Sequence, residues 1–402
     1  MFRKTGGIVV LIGLLGLSVF LLNCGSSSSR PAGVLFVTSQ GASSVESFSI
    51  NLGNGDLSQL NTSAPTGSAP STIFLDPTGA VAYVLNTGDS SITTYKTNAD
   101  GSLSKSGTTA LPSATAVSMA RDAAGKFLFI VTQGNEVAPE LLLYAIQPGS
   151  TDLTAVGAPL ALTRIPDSIA AITVPITNPP NPTAQQTLLY VTSIKDLVAN
   201  NDNTLSEYAV DASGNVTEQT GGGSPLTTAP GPASVLPVLT AANNLYVYVD
   251  SNNTGAGSVS SFQVCTTVST ICTSQDVQNL RITPTSLAAT SVGLQPGQMI
   301  TGARNPNFLY LVNSGSSTVS SFRVNPTTGA LAASSPATVS TGSTPVALAE
   351  HPNGEFLYVA NSGSGGGEGS VSGFTVNTND GSLSGGVQVS SSGAQPAGLV
   401  AK

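Results

Sequence analysis

Residues 345–376 read PVALAEHPNGEFLYVANSGSGGGEGSVSGFTV. A proline opens a short apolar strand, and His351-Pro352-Asn353-Gly354 makes a tight turn. Phe356 to Asn361 is a second strand with Tyr358 at its centre. After a loop of small residues, Val371 to Val376 alternates with period two, as a strand does. Asp380-Gly381 is then a hairpin signal into a fourth strand.

The same unit recurs along the chain, and a repeat of this length marks a stacked or radial architecture. The hydrophobic triplet with a central aromatic occurs at Leu35-Phe36-Val37, Ala82-Tyr83-Val84, Leu128-Phe129-Ile130, Leu189-Tyr190-Val191, Leu245-Tyr246-Val247, Leu309-Tyr310-Leu311 and Leu357-Tyr358-Val359. Each copy is followed by an alternating strand carrying one aromatic: Phe48, Tyr95, Tyr144, Tyr208, Phe262, Phe322 or Phe374. An apolar strand precedes most copies, starting near Pro70, Ala116, Asp167, Pro232, Gly297 and Pro345. Four strands in roughly 45 to 65 residues is the size of a propeller blade. Modules this small hold too few strands for separate sandwich cores. The expected fold is therefore an all-β seven-bladed β-propeller with four-stranded blades and almost no helix. The repeat region starts on a triplet with no inner strand before it and ends on a lone inner-strand motif, Pro396 to Val400. The last strand is expected to complete the first blade and close the ring.

The N-terminal residues fall outside the repeat. Arg3 and Lys4 precede an unbroken apolar and small-residue run, Ile8 to Leu22, which is short for a membrane span and suited to a signal-peptide core. Leu21-Leu22-Asn23-Cys24 resembles the lipobox of bacterial lipoproteins, with Asn23 where a small residue is usual. The expected organisation is a signal peptide over 1–23, a lipid-anchored flexible tether over 24–32, with lipid on Cys24, and the propeller over 33–402. An ordinary signal peptide or an uncleaved anchor are the alternatives. Export places the protein in the cell envelope, periplasmic or on the outer surface, where the environment lets Cys265 and Cys272 pair across their short loop. Two free thiols are the other reading.

Composition narrows the partners. Only 8% of residues are charged and the net charge is −8, so there is no basic footprint for nucleic acid. No zinc spacing, phosphate loop, Ser-His-Asp set or dinucleotide fingerprint is present, and no cofactor is expected. Asp250, Asn86, Asn313 and Asn361 offer oxygen ligands for Ca²⁺ near a channel mouth, although Asn is equally a turn residue. The chain is read as a monomer attached to the membrane through its lipid, with a protein or carbohydrate ligand.

The phrases HPNGEFLYVAN at 351–361 and VSSFRVNPTTGAL at 319–331 resemble the blade signature of lactonase-like seven-bladed propellers. That family includes one type of bacterial 6-phosphogluconolactonase, and similar phrases occur in YVTN-type surface propellers. The resemblance covers about residues 33–402 and implies the propeller fold. It also implies, for the family's enzymes, a Pro-Arg-His start to an inner strand and a Glu following an Asn after the triplet. Here Pro70 is followed by Ser71 and Thr72, Pro232 by Ala233 and Ser234, and Pro345 by Val346 and Ala347. Asn86, Asn313 and Asn361 are followed by Thr87, Ser314 and Ser362.

Candidate site residues come from the loops that lead into the inner strands and those that follow the triplets. Most of these are bland. The central units carry charge: Arg164 and Asp167 at the third inner strand along the chain, Glu136 and Glu140 after the third triplet, Lys195, Asp196 and Asp202 after the fourth, and Asp250 after the fifth. These units also have the longest steps, and loops longer than packing needs are often functional. The reading of these charges as plain solvated loop residues stays open. Arg164, Asp167, Lys195, Asp196 and Asp250 are taken as the ligand-binding face. His351, the single histidine, and Arg121 and Arg304 are assigned to turns on the opposite face. Three functions remain: an envelope binding or scaffold propeller, a lactone hydrolase with catalytic groups relocated to Arg164, Asp167 and Lys195, or a purely structural envelope protein.

The lipid assignment is tested directly. Cys24→Ser is expected to move the protein from the membrane to the soluble fraction of fractionated cells. Unchanged membrane association contradicts it.

Overall fold

The computed structural model describes residues 33–112, 115–134, 138–175, 185–197, 203–220, 224–253, 256–266, 272–365 and 367–402; within these, the side chains of 61, 195, 196, 253 and 387–393 are not described. The strands form seven antiparallel sheets, each ordered from an inner to an outer strand. Blade 1 holds Gly33–Ser39, Ser44–Ile50 and Leu57–Pro65, and its inner strand is Pro396–Ala401 from the other end of the chain. Blades 2 to 7 open with the inner strands Pro70–Leu75, Thr115–Arg121, Arg164–Pro175, Pro232–Leu239, Pro296–Thr301 and Pro345–Glu350. In blades 3, 4 and 5 the outer edge is two short pieces instead of one strand. One five-residue helix, Ser274–Gln278, is capped by Thr273 and carries no buried side chain.

Apolar burial explains the ring. The buried side chains do not form one central core. They form seven clusters, each filling the gap between two neighbouring blades. Alternation along each second strand sends one side chain to each gap: Tyr358 and Ala360 face blade 1, while Leu357 and Val359 face blade 6. In three of the gaps a tyrosine hydroxyl of the second strand finds a partner on the next blade, whereas the buried Tyr310 hydroxyl has none among the described residues. Tyr83 donates to the Ser150 carbonyl at 3.1 Å, Tyr248 to Gly329 at 2.8 Å, and Tyr358 to Gly55 at 2.9 Å. All three acceptors lie in the turn between the third and fourth strands, so each tyrosine spans its gap from apolar ring to polar turn.

Register corrects one sequence assignment. The aromatic of the third strand pairs with the first residue of the triplet: Phe374 with Leu357 and Phe322 with Leu309. In blade 5, Phe262 pairs with Val247. The triplet there is Val247-Tyr248-Val249, two residues beyond Leu245-Tyr246-Val247. A slip of two keeps every side chain on its original face, and both Tyr246 and Tyr248 are buried, so hydropathy alone does not separate the two registers.

The gap between blades 4 and 5 differs from the others. Opposite Tyr190 stands Glu207, where other blades carry Ser, Thr, Leu or Gly. Glu207 is fully buried. Its two oxygens accept from the Tyr190 hydroxyl and from the Ile282 backbone N–H of blade 5, each at 3.0 Å. Burial pushes its carboxyl up to about 8 against these stabilising contacts. Cys265 and Cys272 are joined in a disulfide with Cα atoms 5.5 Å apart, which ties the segment before Ile282 to the third strand of blade 5.

Ring closure follows the expected route. Leu35 to Thr38 pair with Ala401 to Gly398, and Val34 and Lys402 exchange both backbone hydrogen bonds at 2.9 Å. A Cβ on Gly398 would stand 2.1 Å from the Ser71 carbonyl of blade 2, so glycine permits the inner strands to meet here.

Two predictions follow from these contacts. Deleting 396–402 exposes the edge of the strand Gly33–Ser39 and loses the burial of Leu399, which alone stabilises by roughly 2 kcal/mol; the melting temperature should drop sharply, and an unchanged value contradicts the closure. Glu207 binds its proton more tightly folded than unfolded, so its contribution is present at low pH and lost as pH rises from near 4.5 to about 8. The stability difference between wild type and Glu207→Gln, measured by urea unfolding, should therefore move against wild type across that range. A pH-independent difference contradicts the burial argument.

Candidate functional site

The inner strands surround an axial channel of about 700 Å³. Each pairs with its neighbour through a register shift near its start, after Pro70, Ala116, Pro166, Pro232, Pro296, Pro345 and Pro396. A bulge leaves one residue out of the ladder and re-aims its side chain. Ser71, Val117, Asp167, Ala233, Val346 and Ala397 stand at these positions and line the channel. Asp167 is the one ionisable side chain among them. Burial pushes its carboxyl up to about 6, so it is ionised at neutral pH yet basic for an aspartate.

Opposite each bulge, on the second strand, stands a buried polar residue: Ser39, Asn86, Thr132, Ser193, Ser251, Asn313 and Asn361. The asparagines hold their own blades together. Asn361 donates to Ser370 and Ser372 at 3.1 and 2.9 Å, and Asn86 and Asn313 do the same with their own third strands. Asp250 is one residue earlier than this ring and so points to the other face of its strand, apart from the three asparagines it was grouped with as oxygen ligands. Among the described residues no three His, Cys, Asp or Glu side chains are placed to hold a metal.

The Asp250 carboxylate lies against the blade 5 bulge. It accepts the N–H groups of Ser234 and Ala233. It is fully buried, and burial pushes it up to about 8, helped by the charge of Asp167. Ser234 and Asp167 both line the channel, so the two aspartates belong to the bulge-side mouth.

The other sequence candidates fall elsewhere. Arg164 is two residues before the blade 4 bulge, and its Nη1 pairs with Glu218 on the outer strand at 2.8 Å. It is not part of the channel wall. Lys195 and Asp196 pair along the backbone with Ile165 and Arg164; their side chains, and Cys24, Glu136 and Asp202 altogether, lie outside the described residues. Glu140 takes its place in the third strand of blade 3, opposite Thr132. His351 is a turn residue: its Nδ1 accepts the Asn353 N–H at 3.2 Å. Asp76 and Asp122 cap the equivalent turns through the N–H groups of Ala80 and Val81, and of Lys126 and Phe127.

Glu350 escaped the sequence reading, and Arg121, assigned there to a turn, also lines the channel. Arg121 and Glu350 both pair with the first residue of a triplet, which puts them at the turn-side end of the wall. Burial lowers the Arg121 guanidinium and raises the Glu350 carboxyl to about 7. Position in the repeat was the available signal, since each is the last residue of its inner strand. The blade 4 hairpin, with two twelve-residue strands, and the disulfide segment of blade 5 both project on the turn side, opposite the acidic mouth.

Known structures share this architecture. The periplasmic gluconolactonase of Pseudomonas aeruginosa superposes with a TM-score of 0.67 at 17% identity, covering 91% of this chain and 98% of its own. A putative 6-phosphogluconolactonase from Bacteroides fragilis gives 0.65 at 13% identity, covering 94% and 99%. A protein from Lactobacillus plantarum gives 0.64 at 15%, covering 92% and 99%. At such identities the likeness concerns the fold. No curated protein sequence matches the chain. The sequence does match the family model described as Lactonase, 7-bladed beta-propeller, over residues 29–165 and 300–401. With seven interlocked blades, a closing C-terminal strand and that match across most of its length, the chain belongs to the seven-bladed β-propeller lactonase family.

Proposed function

We propose that this chain is an exported, lipid-anchored propeller of the cell envelope that binds an uncharged, hydroxyl-rich ligand such as a carbohydrate at the bulge-side mouth. One observation carries the reading: the only ionisable side chain in the bulge ring is the carboxylate of Asp167. A carboxylate accepts hydrogen bonds from sugar hydroxyls and repels a phosphate. The channel has the volume of a small-molecule site. Of the described residues that line it, Arg121 alone is cationic, and it stands at the other end. The lipobox-like Leu21-Leu22-Asn23-Cys24 supports the anchor.

The second reading is hydrolysis of an unphosphorylated sugar lactone. It takes its substrate class from the periplasmic gluconolactonase of similar fold. It is favoured by the Asp167 carboxyl near 6, which suits a general base for water attack. A phosphorylated lactone would need clustered cations for its dianion and for the oxyanion that develops on ring opening.

The test uses signal-free protein, glucono-1,5-lactone, its 6-phosphate, and an array of neutral oligosaccharides. The expected result is no hydrolysis of the 6-phosphate above buffer, and oligosaccharide binding that Asp167→Asn weakens about tenfold or more. Saturable turnover of the unphosphorylated lactone, lost in Asp167→Asn, replaces the binding reading with the second. Saturable turnover of the 6-phosphate overturns both.

A further inference from the structure

Asp250 occupies a position that every other blade fills with an uncharged side chain. Its counterparts, one residue before the polar ring, are Thr38, Leu85, Val131, Thr192, Val312 and Ala360. Thr38 and Thr192 show what the position ordinarily does: their hydroxyls donate to inner-strand carbonyls of Gly398 and Ser168 at 3.4 Å. Asp250 inverts that polarity. Its Oδ1 accepts the Ser234 N–H, and the N–H of Ala233 also points at the carboxylate. Oδ2 is buried and has no partner.

A buried carboxylate oxygen without a donor is costly unless a cation or a proton accompanies it. The elements around Asp250 supply no described cation. Residues 232–239, 256–264 and 296–301 contain no ionisable side chain. On its own strand, Tyr246 and Tyr248 donate to turns of blade 6. From blade 4, Arg164 is engaged by Glu218, and Asp167 adds a negative charge. Tyr190 donates to Glu207. Lys195 and Asp196 close the strand 185–196, with side chains outside the described residues.

We propose that Asp250 is held as the neutral acid at neutral pH, behind an ionised Asp167 at the bulge of the neighbouring blade. Asp250 is then a positioning residue: it fixes the blade 5 bulge through two N–H groups while leaving Asp167 as the single negative charge among the described residues that line the mouth. The consequence for the ligand is specific. Ligand hydroxyls are matched by the two oxygens of one carboxylate, and no second charge demands a counter-ion. This deepens, and rests on, the reading of the bulge-side mouth as a binding site for uncharged ligands.

Carbon-detected NMR of protein labelled at aspartate carboxyls tests the pair without any ligand, so its outcome is distinct from that of the binding experiment. Asp167→Asn and Asp250→Asn assign the two signals. In wild type, Asp250 should stay protonated through pH 7 and Asp167 should ionise below it. Asp167→Asn should lower the Asp250 midpoint by about half a unit or more, because the opposing charge is gone. Asp250→Asn should abolish the upper transition and keep the lower one. An Asp250 that is already ionised at pH 5 overturns the proposal, as a cation such as Lys195 against it would produce. An Asp250 midpoint unmoved by Asp167→Asn overturns the placing of an ionised Asp167 in front of it.

Discussion

A four-stranded sheet built on alternating apolar residues has two faces to hide, and a blade of this size cannot cover either by itself. Every other feature of the molecule answers to that constraint. Packing the blades around an axis gives each face a neighbour, which is why the buried side chains form seven inter-blade clusters. It also requires the first and last blades to meet. The strand Pro396–Ala401 meets that need by joining the two ends of the chain in one sheet, so the contact on which all seven gaps depend is made by residues far apart in sequence.

The tyrosines show how burial and polarity are reconciled in these gaps. A phenol supplies a large apolar ring and one hydroxyl that must find an acceptor. Placing it in the second strand aims the hydroxyl at the outer turn of the next blade, where Ser150, Gly329 and Gly55 present carbonyls. At Gly55 the backbone has φ +80, and a Cβ there would stand 2.5 Å from the Phe356 ring. Glycine in that turn thus serves the turn and the close approach of the neighbouring blade at once. Between blades 4 and 5 the hydroxyl meets Glu207 instead, and the carboxyl relays the contact to Ile282. At this one gap a side-chain carboxyl takes the place of the backbone carbonyls used at the other three.

The channel inherits its chemistry from the same geometry. Six of the seven bulges turn a side chain toward the axis at this position, and most of these are small or apolar. Asp167 is the exception in the ring, and Asp250 the exception behind it. Both occur in the blades with the longest strands or insertions. The turn-side end has a different character, with Arg121 and Glu350 in opposed blades. The channel is therefore polar at both ends but asymmetric: among the described residues, carboxyls alone carry charge at the bulge-side mouth and both signs of charge stand at the other end.

Much of this was legible in the residues. Repeating triplets, alternating third strands and turn signals specify four strands per unit and seven units, because these patterns are local consequences of strand periodicity and turn sterics. The unpaired motifs at the two ends of the repeat also specify how the ring closes. Asp167 and Asp250 were visible as charges in otherwise bland positions. Tertiary structure alone decided where the charges go. Whether Arg164 faces the channel or its own outer strand depends on Glu218, 54 residues later. Whether Val247 or Leu245 opens the blade 5 triplet depends on pairing with Phe262, since a two-residue slip preserves every hydrophobic face. Whether a long insertion serves the acidic mouth depends on which end of the blade it leaves. Periodicity fixes which residues share a face; only the assembled ring fixes what that face meets.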